Sequence, residues 1–230
     1  MTTGSITWTT AGFVQEKATL DAFVTLLGRD CQLAPKDVLD LHGLCGLSRE
    51  RQGEVADRLG VQVRDGLERL LLAWDRADRE SDGTVLAGMT EDQIYEMGLV
   101  VLMRLVFLLY AEERALLPHG EMLYDQGYGL TFLWHRLLEQ KREREATLDQ
   151  TFDAWDRLLA TGRLLHRGCT HPDLNLRAYG GQLFDPARFP ALEKPGCWVA
   201  NRTLYEVLHG LLFARQRRGG ELQRVGYWAL

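Results

Sequence analysis

The sequence predicts a mostly α-helical protein, an irregular helical bundle with little β structure. Apolar residues recur three and four positions apart over long stretches, which is the helical period. No alternation of strands and helices is visible, so a doubly wound nucleotide-binding sheet is not expected. A stretch from about residue 168 to residue 196 is rich in Gly, Pro, Asp and Asn, and it indicates a long ordered loop. With 230 residues, of which 46% are hydrophobic and 26% charged, the chain can bury a sizeable core.

Two domains are expected, an N-terminal helical segment over residues 1–45 and a helical domain over residues 46–230. The segments Phe13–Leu27 and Pro35–Leu41 have helical patterns. Gly43, Gly46 and Ser48 interrupt the pattern and indicate the boundary.

A long helix is predicted from Glu50 to Arg79. Its apolar positions are spaced to line one face: Val55, Leu59, Val63, Leu67, Leu70, Leu71 and Trp74. At 1.5 Å per residue it would be about 45 Å long. The polar segment RADRESDG ends it and begins a loop.

The most apolar segment is LVVLMRLVFLLYAEERALLP, from Leu99 to Pro118. Thr90 and Gln93 form a capping-box pattern, so the helix should begin at Glu91 and continue to about Leu116, before Pro118. A bilayer requires about 20 apolar residues. The run from Leu99 to Tyr110 is shorter and contains an arginine, so it is predicted to be a core helix rather than a membrane span.

Arg104 lies near the centre of this apolar run. Its helical neighbours four positions away are Val100 and Leu108, so no acid on the same helix can pair with it. A buried guanidinium needs a carboxylate, carbonyl groups or a phosphate from elsewhere. We expect a structural ion pair, with a ligand-binding role as the alternative.

Further helices are predicted at Tyr128–Glu145, at Leu148–Leu165 and at Asn201–Ala214, the last one capped by Asn201. The segment RQRRGGE indicates an exposed turn, and the final RVGYWAL indicates an extended piece.

Composition excludes several classes of protein. A net charge of −5 is not that of a dedicated nucleic-acid binder. The N-terminus has no secretory-signal pattern, and the cysteines Cys31, Cys45, Cys169 and Cys197 are widely spaced, which predicts reduced thiols in a cytoplasmic protein. Glycine-rich phosphate loops, the GxSxG nucleophile motif and the HExxH zinc motif are absent from the sequence.

Three further groups of residues resemble functional sites, and each also has an ordinary structural explanation. Histidine and cysteine are dense at His166, Cys169 and His171, with Cys197 and His209 further on, but the spacing is not that of a standard zinc site, and no metal is predicted. The carboxylate pairs Glu112-Glu113 and Asp153-Asp156 are common on helix surfaces, so no catalytic residue is assigned. The Arg-rich turn, with Arg215, Arg217, Arg218 and Arg224, could contact phosphates, whereas Lys141, Arg142 and Arg144 alternate with glutamates and are expected to be a solvated face.

Four blocks together resemble a known family. They are MRLVFLLYAEERALLP (103–118), YGGQLFDPARFP (179–190), NRTLYEVL (201–208) and LQRVGYWAL (222–230). Their order is similar to that in the helical region ahead of the catalytic domain of large bacterial adenine-specific DNA methyltransferases. These include the type IIG and IIL restriction–modification enzymes and the methylases of the BREX and DISARM phage-defence systems. The resemblance covers roughly residues 50–230. The polar, aromatic and glycine positions that carry it are Tyr110, Glu112, Glu113, Arg114, Tyr179, Gly180, Gly181, Phe184, Asp185, Asn201 and Arg202.

The resemblance implies a scaffold role without catalysis in this chain. In the family, the segment similar to RVGYWAL leads into the domain that binds S-adenosylmethionine and grips the flipped adenine with an Asn-Pro-Pro-Tyr motif. Neither the cofactor motif nor any Asn-Pro dipeptide occurs here, so we expect no cofactor in this chain and no methylation by it alone. The expected partners are the catalytic domain or other defence-system subunits, and double-stranded DNA. The alternative is a standalone helical interaction subunit of a defence complex.

Overall fold

The structure, a computed structural model, describes residues 41–118, 120–179, 181–194, 196–215 and 222–224, with side chains between residues 59 and 213 of these ranges. The predicted helix Phe13–Leu27 and nearly all of Pro35–Leu41 lie outside the described residues. Contacts divide the chain into the units Met1–Val55 and Ala56–Leu230. Apart from residues 41–55, the described residues belong to the second unit, and the predicted division at residues 45 and 46 stays a prediction.

The mostly α-helical class is confirmed. The helices are α1 (Leu41–Glu80), α2 (Glu91–Glu113), α3 (Met122–Gly127), α4 (Leu130–Arg144), α5 (Asp153–Arg167) and α6 (Asn201–Leu212), with short 3₁₀ helices at Glu145–Asp149 and Pro190–Glu193. β structure in the described ranges consists of two antiparallel hairpins, β1 (Cys169–His171) with β2 (Leu174–Leu176) and β3 (Phe213–Arg215) with β4 (Leu222–Arg224). The predicted loop at 168–196 therefore contains a small hairpin and one 3₁₀ turn. Helix α3 was not predicted.

Helix α1 begins nine residues earlier than predicted. The backbone is helical through Gly43, Gly46 and Ser48, so these residues do not interrupt the helix. The predicted apolar face is confirmed where side chains are described, because Leu67, Leu70 and Trp74 are buried. Glycine weakens a helix by only about 1 kcal/mol per residue, which neighbouring helical residues and packing can offset.

Helix α2 begins at the predicted capping box. The Thr90 hydroxyl accepts from the Gln93 N–H at 3.3 Å, and the Thr90 N–H donates to the Gln93 side chain at 2.9 Å. The helix ends at Glu113, three residues before the predicted end. Its last carbonyls are satisfied by a turn in which Leu116 N–H donates to Ala111 C=O at 2.9 Å. This turn requires Ala115 to adopt a positive φ of 51°.

The core is built around α2. Its buried residues include Leu102, Leu105 and Leu108, and Trp74 of α1 meets Trp155 of α5 edge to face at 6.3 Å between centroids. Helices α1 and α2 approach closely where a Cβ on Gly98 would lie 2.4 Å from the Leu67 side chain. Only glycine fits there without rearrangement.

Helix α2 is long and apolar enough to meet the length and composition criteria for crossing a membrane, and it is the one such helix in the described ranges. Half of its most apolar window is buried inside the protein. This burial, together with two buried charged side chains on the same helix, agrees with the predicted core helix.

Candidate functional site

Arg104 is buried, with 5% of its surface exposed, and it reaches the loop that follows β2. Its Nε donates to the Leu183 carbonyl at 2.7 Å, and its guanidinium lies 5.9 Å from the centroid of the Phe184 ring. Nη2 is buried and has no hydrogen-bond partner among the residues that the structure describes. The expected direct ion pair is not formed within the described part of the chain; a backbone carbonyl takes its place.

The surroundings of Arg104 only partly compensate its buried positive charge. Burial lowers the pKa of Arg104, and the nearby carboxylates of Glu193 and Asp185 raise it again by a smaller amount. Glu193 is itself bound by Arg163, and Asp185 lies 4.0 Å from His166 Nε2. The Glu193 carboxylate is therefore shared with the Arg163 guanidinium, and Asp185 also faces the His166 imidazole, so both carboxylates compensate Arg104 from a distance.

Aromatic side chains hold the same loop against α2. Phe107 of α2 packs edge to face on Tyr179 and Phe184, at centroid distances of 6.0 and 5.4 Å. The Tyr179 hydroxyl donates to the Leu116 carbonyl at 2.5 Å, just beyond the end of α2. Gly181 has a positive φ of 74°, which glycine adopts without strain, and this supports the tight turn preceding Leu183. The block YGGQLFDPARFP is thus anchored on the block that contains Arg104.

Glu112, near the end of α2, is 4% exposed and caps a neighbouring helix. Its carboxylate accepts from the backbone N–H groups of Leu130 at 2.5 Å and Thr131 at 3.0 Å, the first two residues of α4. The hydroxyls of Thr131 and Tyr124 also donate to it, at 2.7 and 3.3 Å. A negative charge at a helix N-terminus is stabilised by the free N–H groups and the helix dipole. Burial and the Glu112 charge raise the pKa of Tyr124 far above its usual value, so its phenol stays protonated and donates.

Asn201 performs the same task for α5, and its predicted role as the cap of its own helix is wrong. Helix α6 begins after Ala200 without a side-chain cap. The Asn201 carbonyl oxygen instead accepts from Ala154 N–H at 3.1 Å, at the start of α5, and its amide donates to Asp153 and Gln140 at 2.8 and 3.1 Å. An asparagine at the first position of a helix is free to cap the end of an adjacent one.

The other residues of the family blocks lie nearer the surface. Arg202 donates to both oxygens of Asp149 and to Glu145, and these bonds raise its pKa. Arg114 lies 5.6 Å from the centroid of the Tyr110 ring, and Glu113 is exposed. Gly180 lies outside the described residues.

The candidate zinc ligands do not converge. In the described ranges, no group of three or more His, Cys, Asp or Glu side chains could hold a metal ion. His171 faces Asp173, and His209 is stacked between Trp134 and Tyr205. Burial raises the pKa of the Cys197 thiol to about 11, so it is not a ready thiolate ligand.

The Arg-rich turn is described only in its backbone. Arg215 ends β3 beside the turn and pairs with Leu222, whereas Arg224 ends β4 and pairs with Phe213, at the end of the hairpin away from the turn. Arg217 and Arg218 lie outside the described residues. The predicted phosphate contacts stay a prediction.

Of the two acidic pairs, Glu112 and Asp153 are used structurally, the first as the cap of α4 and the second as the acceptor for Asn201 and Arg136. Sequence reasoning missed that Glu112 and Asn201 cap helices other than their own. No local signal could have shown this, because the capped N–H groups of Leu130 and Ala154 are 18 and 47 residues away in sequence.

Comparison of the chain with models of protein families, with curated proteins and with solved structures found no match.

Proposed function

We propose that this chain is the helical scaffold region of an adenine-N6 DNA methyltransferase of a restriction–modification or phage-defence system. It would brace the catalytic domain, which supplies the S-adenosylmethionine site, and it would assist the binding of double-stranded DNA in the cytoplasm. The proposal rests on the resemblance of four blocks that are separated in sequence.

One structural observation supports a scaffold role over a catalytic one. The polar side chains of the blocks are hydrogen-bonded to protein groups: Glu112 to α4, Asn201 to α5, and Tyr179 to the chain after α2. A general acid or base would need to face a substrate. Glu112 and Asn201 instead bind the N-termini of α4 and α5 and so fix the positions of these helices, which is the role of a scaffold.

The first test is cofactor binding. We expect isothermal titration of the purified chain with S-adenosylmethionine to show no binding, because the glycine motif of the cofactor site is absent from the sequence. Binding at micromolar concentration would contradict the proposal.

The second test is DNA binding by the Arg-rich turn. Replacing Arg217 and Arg218 by alanine should weaken binding of a duplex in fluorescence anisotropy and reduce the slope of log K against log salt by about 2, since each phosphate contact contributes about 0.9. The matched control is Arg142→Ala with Arg144→Ala, two exposed arginines of α4 in a mixed-charge segment. Equal effects of the two pairs, or none, would exclude a dedicated contact at the turn.

A further inference from the structure

An excess of arginines surrounds the last turn of α5, although the whole chain is acidic. Residues 163–188 contain four arginines and two aspartates, whereas the chain as a whole has a net charge of −5. All four arginines are exposed, and together they are named the basic surface here: Arg163, Arg167, Arg177 and Arg188. A local cluster of exposed arginines is the electrostatic signature of a site for a polyanion.

Three of the four arginines converge at the C-terminal end of α5. Arg163 and Arg167 lie four residues apart on α5, so they are neighbours on the surface of the helix. The antiparallel register of β1 and β2, continued by one pair, places Arg177 beside Gly168, the residue that follows Arg167. The two chain segments are close at this point, because a Cβ on Gly168 would lie 2.7 Å from the Ala178 nitrogen.

The loop that follows β2 brings the fourth arginine to the same end of α5. Asp185 of this loop lies 4.0 Å from Nε2 of His166, in the last turn of α5. The Arg188 N–H donates to the Asp185 carbonyl at 3.3 Å, so Arg188 is one turn of the chain away from that contact. The Arg188 guanidinium donates to the Gln182 side chain and lies 5.7 Å from the centroid of the Phe189 ring. Both of these groups are neutral, so they leave the charge of Arg188 uncompensated.

Two carboxylates adjoin the basic surface, and each also compensates a cation elsewhere. Glu193 is bound by Arg163, and Asp185 faces His166. Both carboxylates also offset the buried positive charge of Arg104, whose Nη2 has no partner among the described residues. Their negative charge is therefore divided between the interior and the surface, and the surface keeps an excess of positive charge.

Arg167 and Arg177 have their charges free for a ligand. Within the part of the chain that the structure describes, neither side chain makes a hydrogen bond or an ion pair. Asp173 is at the turn of the hairpin, at the end away from Arg177, and it faces His171 at 3.7 Å. The helix dipole contributes only about half a negative charge at the C-terminal end of α5. The charge at this end of α5 is therefore positive.

We propose that the basic surface, above all Arg167 and Arg177, binds the phosphate backbone of double-stranded DNA. Guanidinium groups bind phosphate oxygens through paired N–H donors, and such contacts position DNA without reading its sequence. The choice of DNA as the polyanion rests on the proposed function, whereas the location of the surface does not. The basic surface adds a contact at α5 and the β1–β2 hairpin to the one expected at the Arg-rich turn.

Fluorescence anisotropy of a labelled DNA duplex, titrated with the full chain at several salt concentrations, tests the proposal. Each lost phosphate contact reduces the slope of log K against log salt by about 0.9, so Arg167→Ala with Arg177→Ala should reduce it by about 1.8. The matched control is Arg64→Ala with Arg76→Ala, which removes the same charge from exposed positions of α1 and should leave the slope unchanged. Equal reductions in the two double variants, or no reduction in the first, overturn the proposal.

Two further measurements separate this inference from the proposed function. If the natural chain binds no duplex even at the lowest salt concentration, both the basic surface and the DNA-binding part of the proposed function are wrong. If it binds, and Arg217→Ala with Arg218→Ala reduces the slope whereas Arg167→Ala with Arg177→Ala does not, the basic surface alone is wrong. Arg167→Lys with Arg177→Lys keeps the charge and should keep the slope, since lysine also binds phosphate as a point charge. A slope reduced as far as in the alanine variant would show that the loss does not come from charge, and it would overturn the proposal.

Discussion

Arg104 and Glu112 lie eight residues apart on α2, and both are at least 95% buried, yet their surroundings differ. Glu112 accepts four hydrogen bonds, two from the N-terminus of α4 and two from hydroxyls. Among the described residues, Arg104 donates from Nε to the Leu183 carbonyl, and its Nη2 has no partner there. A buried charge stabilises a fold only when its hydrogen bonds are complete. We therefore expect the stability of the fold to depend on Glu112 far more than on Arg104.

The difference follows from what each side chain faces. Glu112 faces the first turn of a helix, where backbone N–H groups lack partners within that helix. Arg104 faces an irregular loop, whose Leu183 carbonyl accepts its hydrogen bond and whose nearby carboxylates are shared with Arg163 and His166. A helix N-terminus supplies several donors together, whereas a loop supplies acceptors singly.

The largest effect is expected for Glu112→Ala. It leaves two backbone N–H groups and two hydroxyls without their acceptor, and it should lower the free energy of unfolding by about 3 kcal/mol or more. Urea denaturation measures it. The control is Glu113→Ala at the next, exposed position, where a change below about 1 kcal/mol is expected because the interactions of an exposed carboxylate are weak. Similar losses in the two variants would contradict the role of Glu112 as the cap of α4.

The second largest effect is expected for Asn201→Ala, which should lower the free energy of unfolding by about 2 kcal/mol. It removes the acceptor for Ala154 N–H and the donors to Asp153 and Gln140. Asn201→Asp should not restore stability, since a second carboxylate would then face Asp153. The neighbouring Arg202→Ala breaks bonds that are exposed to solvent, and it should cost less than about 1 kcal/mol. If Asn201→Asp were as stable as the natural chain, the hydrogen bonds donated by the Asn201 amide would contribute nothing to the stability of the fold.

Arg104→Met tests directly how much Arg104 contributes to stability compared with Glu112. Methionine keeps much of the packing and removes a buried charge, so we expect a loss of only about 1 kcal/mol or less. Amide hydrogen exchange at residues 183–185 should nevertheless increase, because the contact between α2 and the loop is lost. A loss as large as that of Glu112→Ala would mean that the Arg104 guanidinium is as well partnered as the Glu112 carboxylate.

The sequence predicted what depends on neighbours along the chain. The capping box of Thr90 and Gln93, the apolar face of α1 and the burial of the Arg104 helix all follow from spacing within one element. Contacts between elements could not be predicted in the same way. The expectation that Asn201 caps its own helix failed because the nearest unpaired N–H groups in space belong to α5, far away in sequence.

The candidate site follows the same division. The sequence predicts that a buried Arg104 needs a partner from outside its helix, and the structure shows one. That partner is the Leu183 carbonyl, in the loop after β2, and not the expected carboxylate. The need for a partner follows from the cost of burial, which the sequence shows. The identity of the partner depends on how the loop packs, and the packing depends on Phe107, Tyr179 and Phe184 meeting in space.

The smallest effect, and the one stabilising change, is expected at the end of α2, just beyond Glu112. Ala115 has a positive φ of 51°, where a Cβ is strained and glycine is not. Ala115→Gly should therefore raise the free energy of unfolding by roughly 0.5–1 kcal/mol, after the larger entropy of glycine in the unfolded chain is subtracted. Ala160→Gly, inside α5, is the matched control and should lower it by about 1 kcal/mol. Thermal unfolding of the two variants should thus shift in opposite directions, and a shift in the same direction would show that the turn after Glu113 does not strain Ala115.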